Sequence, residues 1–218
     1  TVGQSESPEW RDYPLSAKVS ATLHELGIEG VHVGITNESQ LAALHAVRSE
    51  LRLEPETIAA YLGGLRDIGT GLIVNGEIFR GAGGGAGDLS HLNVDPSGPA
   101  CSCGRNGCLE SLIGPQNLLI VGELLPRDEA ARLIDEQPQE AIRRIVEASD
   151  EGQAAMLQVL KRAGAALGDA IDDVIGVLNP DTVILGGYLG ALSRHLMDSI
   201  QERISHRVTI PAFAGTKI

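Results

Sequence analysis

One histidine and three cysteines form the most chemically specific group in this 218-residue chain: His91, then Cys101, Cys103 and Cys108. Three thiols and one imidazole are a standard closed tetrahedral set for structural zinc, with no position left open for chemistry. Gly98, Gly104 and Gly107 punctuate the cysteines. The short chain between Cys103 and Cys108 can fold back only through the tight conformations that glycine tolerates. This spacing favours a metal over three unrelated thiols beside a chance histidine. Three cysteines cannot all pair with one another, and their clustering suits a reducing compartment better than a disulfide framework. The remaining histidines, His24, His32, His45, His195 and His206, are scattered singly and read as surface or satisfied core positions.

The elements that must position this group alternate between strand and helix. Apolar spacing predicts a helix over 15–26 with Gly27 as its stop, after a polar opening that carries Trp10. Residues 31–35 alternate like a strand, 36–39 form a polar turn, and 40–51 read as a helix. Strand end, polar turn and helix start is where α/β folds place ligands. Between 57 and 79, apolar stretches meet Asn75-Gly76, a strong hairpin signal, so two paired strands are expected there. The glycine and alanine run 81–87 reads by composition as a flexible loop, although it would also let backbone approach a ligand closely. Met156, Leu160, Ala163, Leu167, Ala170, Val174 and Val177 recur along one helical face and predict core. Asn179-Pro180-Asp181 ends that helix, 182–185 is a short buried strand, Gly186-Gly187 turns, and 193–207 is a final helix. Helix, strand, GlyGly and helix make an α/β crossover.

Composition excludes several partners. The formal charge of -12 repels phosphate backbones, so this segment is not expected to bind nucleic acid itself. No apolar run approaches the roughly 20 residues of a membrane span, and the N-terminus shows no signal pattern, which predicts a cytoplasmic protein.

The stretch 81–110, GAGGGAGDLSHLNVDPSGPACSCGRNGCLE, closely resembles the signature of the ROK family of repressors, open reading frames and kinases. LNPDTVILGG at 178–187 is similar to its crossover, and TNESQLAAL from Thr36 to its sugar-site turn. The resemblance implies an α/β, actin-like ATPase or ribonuclease H-like two-lobed fold, truncated at both ends. Residues 1–52 would be a remnant of the N-terminal lobe, and 53–218 the C-terminal lobe with a zinc-binding loop at 91–108. It also implies a sugar or sugar phosphate in the cleft, and a homodimer or dimer of dimers. Asn37, Glu38, Asp88, His91 and Glu110 fall at the family's sugar contacts, and zinc would act by orienting His91 and positioning Glu110.

The chain departs from the kinase pattern at two of these places and at a third beside them. Glu38 stands where family kinases carry the aspartate that acts as general base, Asp88 where they carry glutamate, and Ser90 where they carry glycine. An extra methylene moves a carboxylate by about 1.5 Å, and misplacement on that scale can cost on the order of 100-fold in rate. Leu65-Arg66-Asp67 interrupts the glycine-rich lead-in of the second phosphate loop, and Asp67 puts negative charge near any ATP phosphate. These departures resemble the regulator branch, in which a winged-helix domain, here expected before Thr1, binds DNA and the body senses sugar. The expectation is an effector-binding and dimerisation domain without catalysis. The alternative is an ATP- and Mg2+-dependent sugar kinase with Glu38 as its base.

Overall fold

In this computed structural model the described residues are 12–205 and 215–218. The surroundings of Trp10, His206 and the end of the last helix at Arg207 lie outside them. Contacts divide the chain into two units, Thr1–Asn37 and Glu38–Ile218.

In the first unit, α1 (Leu15–Glu25) buries none of its residues. Gly27, at φ 74°, takes the left-handed turn that closes it, with the Ile28 amide donating to the Leu23 carbonyl at 2.9 Å. The strand expected at 31–35 does not form: the segment is irregular, and Val31 and Ile35 are 54% and 41% exposed. Alternation selects a face, but a strand also needs a hydrogen-bonded neighbour, and no described strand pairs with this segment.

The second unit is built on a four-stranded sheet of order β3-β2-β1-β4, comprising β1 (Ala59–Gly63), β2 (Gly69–Val74), β3 (Glu77–Ile78) and β4 (Thr182–Leu185). β1 runs antiparallel to β2, with Ala60 opposite Leu72, and parallel to β4, with Ala60 opposite Val183. The hairpin expected at Asn75-Gly76 is present, both residues holding positive φ (52° and 72°) as a type I′ turn requires. Every residue of β1 is buried, because both faces of the sheet are covered. Ala59, Tyr61 and Ile73 pack with Ala43, Ala46 and Val47 from α2 (Glu38–His45) and the π-helical segment that continues it, Ala46–Glu50. Ala60, Leu62, Leu72 and Val183 belong to the larger core on the other side.

That larger core is mostly helical, formed by α3 (Leu109–Ile113), α4 (Pro115–Val121), α5 (Arg127–Glu136), α6 (Pro138–Asp150), α7 (Ala154–Leu178), α8 (Gly187–Ala191) and α9 (Ser193–Ser205). Six of the seven stripe positions predicted on α7 are buried. Val177 is not, at 83% exposure. A strict seven-residue repeat drifts by about 20° per heptad on a straight helix, and Val177 lies three heptads beyond Met156. Gly164 and Gly168 let α9 approach, since a side-chain carbon at either would meet the Leu196 or Ile200 carbonyl within about 3 Å. Asn179, at φ 43°, caps α7, and β4 follows to complete the expected crossover. Among the described residues no helix is long and apolar enough to cross a membrane.

Candidate metal centre and ligand site

The segment between β3 and α3 has almost no regular structure and is held by its own backbone. At its base the Leu109 amide donates to the Leu92 carbonyl (2.8 Å) and the Glu110 amide to the Ser90 carbonyl (2.9 Å). Further out, the Val94 and Asp95 amides share the Gly107 carbonyl (3.0 and 3.2 Å), and the Gly107 amide donates to Pro99 (2.7 Å). At the tip the Cys101 amide donates to Arg105 (2.8 Å) and the Gly104 amide to Cys101 (3.0 Å). Gly107 is fixed in type: its φ is +65°, and a side-chain carbon there would lie 1.4 Å from the Asp95 carbonyl oxygen.

This folding gathers the four residues singled out by spacing. One donor atom from each of His91, Cys101, Cys103 and Cys108 lies within 4.8 Å of all the others. Cys101 Sγ is 3.4 Å from His91 Nδ1, and Cys103 Sγ is 3.6 Å from Cys108 Sγ. Zinc bonds of about 2.0–2.3 Å in a tetrahedron give donor separations of roughly 3.5–3.8 Å. These two separations match that range, and with all four donors inside 4.8 Å the residues fit a four-coordinate ion after a contraction of at most about 1 Å. With Nδ1 facing the thiols, His91 keeps Nε2 for a ligand.

Arg105 holds the group together from outside, a role that its position in the sequence did not signal. Its guanidinium donates to the His91 carbonyl at 2.8 Å. Hydrogen bonding from the Arg105 backbone, then from its side chain, lowers the Cys103 thiol to about 6. Burial pushes the Cys108 thiol up to about 12. Cys103 is exposed and Cys108 fully enclosed, so one thiol is ready as a thiolate, while the other would give up its proton to solvent only when a metal displaces it.

The residues expected to meet a sugar are partly brought together. Asp88, Ser90, His91 and Glu110 lie on the loop base, with Ser90 accepting from the Glu110 amide. The Ser90 hydroxyl donates to Asp88 Oδ1 at 2.5 Å. Glu38 is the first residue of α2, and its neighbour Ser39 packs against Gly69. The adjacent Thr70 hydroxyl donates to the Gly87 carbonyl and accepts from the Leu89 amide (3.3 Å), tying β2 to the glycine run just before Asp88. Thr70, too, was not foreseen from sequence, because its partners are backbone groups 17 and 19 residues away. Asn37 is the last residue of the other unit.

A pocket of about 300 Å³ opens beside the loop, lined by Arg66, Cys101, Glu110, Gln116, Asn117 and Arg127 among others. Of the expected sugar contacts only Glu110 reaches it. Burial raises the Tyr188 phenol well above its ordinary range, helped by the Glu110 and Asp67 carboxylates, so these two acids lie in the neighbourhood of one ring. The Tyr188 hydroxyl donates to the Ile113 carbonyl at 3.1 Å.

Comparison with known proteins yields both regulators and enzymes. The ROK family sequence model matches residues 1–213. A xylose repressor of Caldicellulosiruptor bescii is 28% identical over 154 residues, covering 69% of this chain and 39% of the repressor. A glucokinase of Halalkalibacterium halodurans is 26% identical over 198 residues, covering 88% of this chain and 58% of the enzyme. The chain thus spans about half the length of these curated relatives. Among solved structures, a ROK family glucokinase from Streptomyces griseus in complex with glucose and AMPPNP superposes with a TM-score of 0.74 at 21% identity, covering 100% of this chain and 70% of that one. This likeness shows the fold, the actin-like ATPase fold, in agreement with the expected class.

Proposed function

Because the chain belongs to the ROK family, we propose that it is the sugar-binding and dimerisation body of a ROK-type transcriptional regulator, stapled by one structural zinc on His91, Cys101, Cys103 and Cys108. Asn37, Glu38, Asp88, His91 and Glu110 hydrogen-bond the sugar, and residues 53–218 form the C-terminal lobe. DNA is reached through a separate winged-helix domain, and sugar binding shifts the spacing of two such domains across a dimer.

The observation that carries this proposal is the contact between Ser90 and Asp88. Two departures from the kinase pattern touch each other, so they act as one altered site. The shortened carboxylate is held by the added hydroxyl, leaving Asp88 Oδ2 and the imidazole Nε2 of His91 as the groups free to orient a ligand. Bound zinc supplies rigidity and no reaction step. His91 keeps its ring orientation through Nδ1, and Glu110 keeps its place through its amide bond to Ser90. The repressor match supports the same assignment. So does the 65–67 turn between β1 and β2, which presents an exposed Asp67 carboxylate where ATP phosphates need bare amides and a cation.

A second reading is favoured by one fact: the glucokinase match covers 88% of this chain against 69% for the repressor. In that case Glu38, at the head of α2, is the general base. Calorimetry and a coupled phosphotransfer assay on the intact protein, run over the same panel of sugars with ATP and Mg2+, separate the two. Sugar binding without turnover supports the regulator, and robust turnover refutes it.

A further inference from the structure

The four donors of the candidate metal centre divide into two pairs with different surroundings. Cys101 Sγ faces His91 Nδ1 at 3.4 Å, and Cys103 Sγ faces Cys108 Sγ at 3.6 Å. The second pair links the tip of the loop to its base. Cys103 is exposed, and next to it a side-chain carbon on Gly104 would meet nothing within 4 Å. Cys108 is fully enclosed and precedes Leu109, the first residue of α3 and part of the large core. One sulfur of this pair therefore meets solutes, and the other lies behind it within reach. A disulfide places its sulfurs about 2.05 Å apart, so each sulfur has to move by only about 0.8 Å to form one.

We propose that Cys103 and Cys108 are a peroxide-reactive dithiol, oxidised to a disulfide with release of the bound metal. The release rests on the zinc staple of the proposed function and adds a reaction that a purely structural site does not need. Written from the thiols, the Cys103 sulfur attacks one oxygen of hydrogen peroxide, the O–O bond breaks, and hydroxide leaves with the thiol proton as water. The product is a sulfenic acid. The Cys108 sulfur attacks the Cys103 sulfur, the S–O bond breaks, and a second water leaves with the second thiol proton. Two thiols are thereby oxidised to one disulfide while one peroxide is reduced to two waters; where zinc holds the thiolates, the two protons come from solvent. Zinc departs because only Cys101 and His91 remain to hold it. Arg105 hydrogen-bonds the Cys103 sulfur and donates to the His91 carbonyl, so a cation stands beside the sulfur from which hydroxide is displaced. In a reducing compartment such a disulfide is transient, the form in which cytosolic proteins use one to sense oxidants.

The test uses the intact wild-type protein, so it does not depend on a variant that folds. Zinc is first counted by elemental analysis, hydrogen peroxide is added in excess, and released metal is read with a chromogenic chelator. Free thiols are then alkylated and the chain is digested with trypsin, which cuts after Arg105 and so separates Cys103 from Cys108. Fragmentation of the crosslinked peptides should find Cys108 joined to Cys103 and Cys101 alkylated. Zinc should be released one for one with the crosslink, and a thiol reductant with added zinc should restore full metal. A crosslink made through Cys101, zinc retained by a crosslinked chain, or three alkylatable thiols after the same peroxide has oxidised glutathione in a parallel tube overturns the proposal. Absence of an ion before oxidation defeats the zinc staple instead, and the crosslink map then still decides the dithiol.

Discussion

Replacing Gly107 by alanine tests whether the loop's geometry, and not only its cysteines, builds the metal centre. The added carbon would sit 1.4 Å from the Asp95 carbonyl oxygen, a backbone atom that no rotamer change can move. Restoring ordinary contact parts the two segments by about 2 Å, beyond the range of the hydrogen bonds between them. Three such bonds involve Gly107 directly, those from Val94 and Asp95 and the one to Pro99, and each contributes about 1 kcal/mol net. Left-handed backbone adds about 1–2 kcal/mol for any residue with a side chain. The expected cost is therefore about 4–5 kcal/mol, or roughly 10–15 °C in melting temperature for a unit of this size. Gly104 is the internal control, because its φ of +86° is also positive while a side-chain carbon there meets nothing within 4 Å. Gly104→Ala should lose only the strain, about 1–2 kcal/mol and roughly 3–6 °C. Since Gly107 precedes the buried Cys108, Gly107→Ala should also lose its metal while Gly104→Ala retains one ion per chain. Thermal unfolding and elemental analysis of both proteins give the answer. Equal shifts, or full metal in both, would refute the reasoning.

Metal uptake should release protons at pH 7.5, because Cys108, raised to about 12, enters as a thiol while Cys103, lowered to about 6, is already mostly a thiolate. Apparent affinity therefore rises with pH, and calorimetry in buffers of different ionisation enthalpy counts the protons; zero release contradicts the assignment of Cys108 as a ligand. Arg105→Gln removes the cation beside a centre that one zinc, three thiolates and a neutral imidazole leave at net -1. Zinc affinity by chelator competition should drop about ten-fold or more, and an unchanged value means the guanidinium does not support the site. Asp150, whose carboxyl is lowered chiefly by its hydrogen bond with His195 and then by Arg194, joins α6 to α9. A depressed carboxyl stabilises the fold above its ordinary range near 4 and loses that contribution as pH falls through its lowered value. Asp150→Asn should flatten the acid side of the stability curve, and identical acid unfolding profiles would count against the link.

What could be read from sequence was what is local and specific in type. The four candidate metal donors fall within 18 consecutive positions, and cysteine and histidine at that spacing suit few other purposes. The Asn75-Gly76 turn was legible because few residue pairs accept two positive φ values in succession. Arg105 and Thr70 were not, because they act on main-chain carbonyls of residues 14 and 17 positions away, and any sequence offers such acceptors everywhere. Alternation at 31–35 indicated which side chains share a face but could not supply the neighbouring strand that makes a strand stable. The pairing of Ser90 with Asp88 lay between: each departure was visible alone, and only coordinates show that one hydroxyl reaches the other's carboxylate.

The loop's hydrogen bonds also assign its parts different dependence on metal. Its base is closed by backbone bonds from Leu109 to Leu92 and from Glu110 to Ser90, and both Leu109 and Ile113 of α3 are anchored in the large core. Those bonds survive loss of an ion. The tip has no apolar core of its own: between 95 and 107 it is polar or exposed along most of its length, so its backbone hydrogen bonds lie open to water and are supported mainly by whatever joins the four donors. A metal therefore stabilises the tip most, and with it the wall of the pocket formed by Cys101. Glu110 sits where the two regimes meet, its main chain fixed by the base and its carboxylate facing a pocket whose other side belongs to the tip. Under the proposed function a ligand in that pocket and the metal would be coupled through that wall, each tightening binding of the other by the same factor.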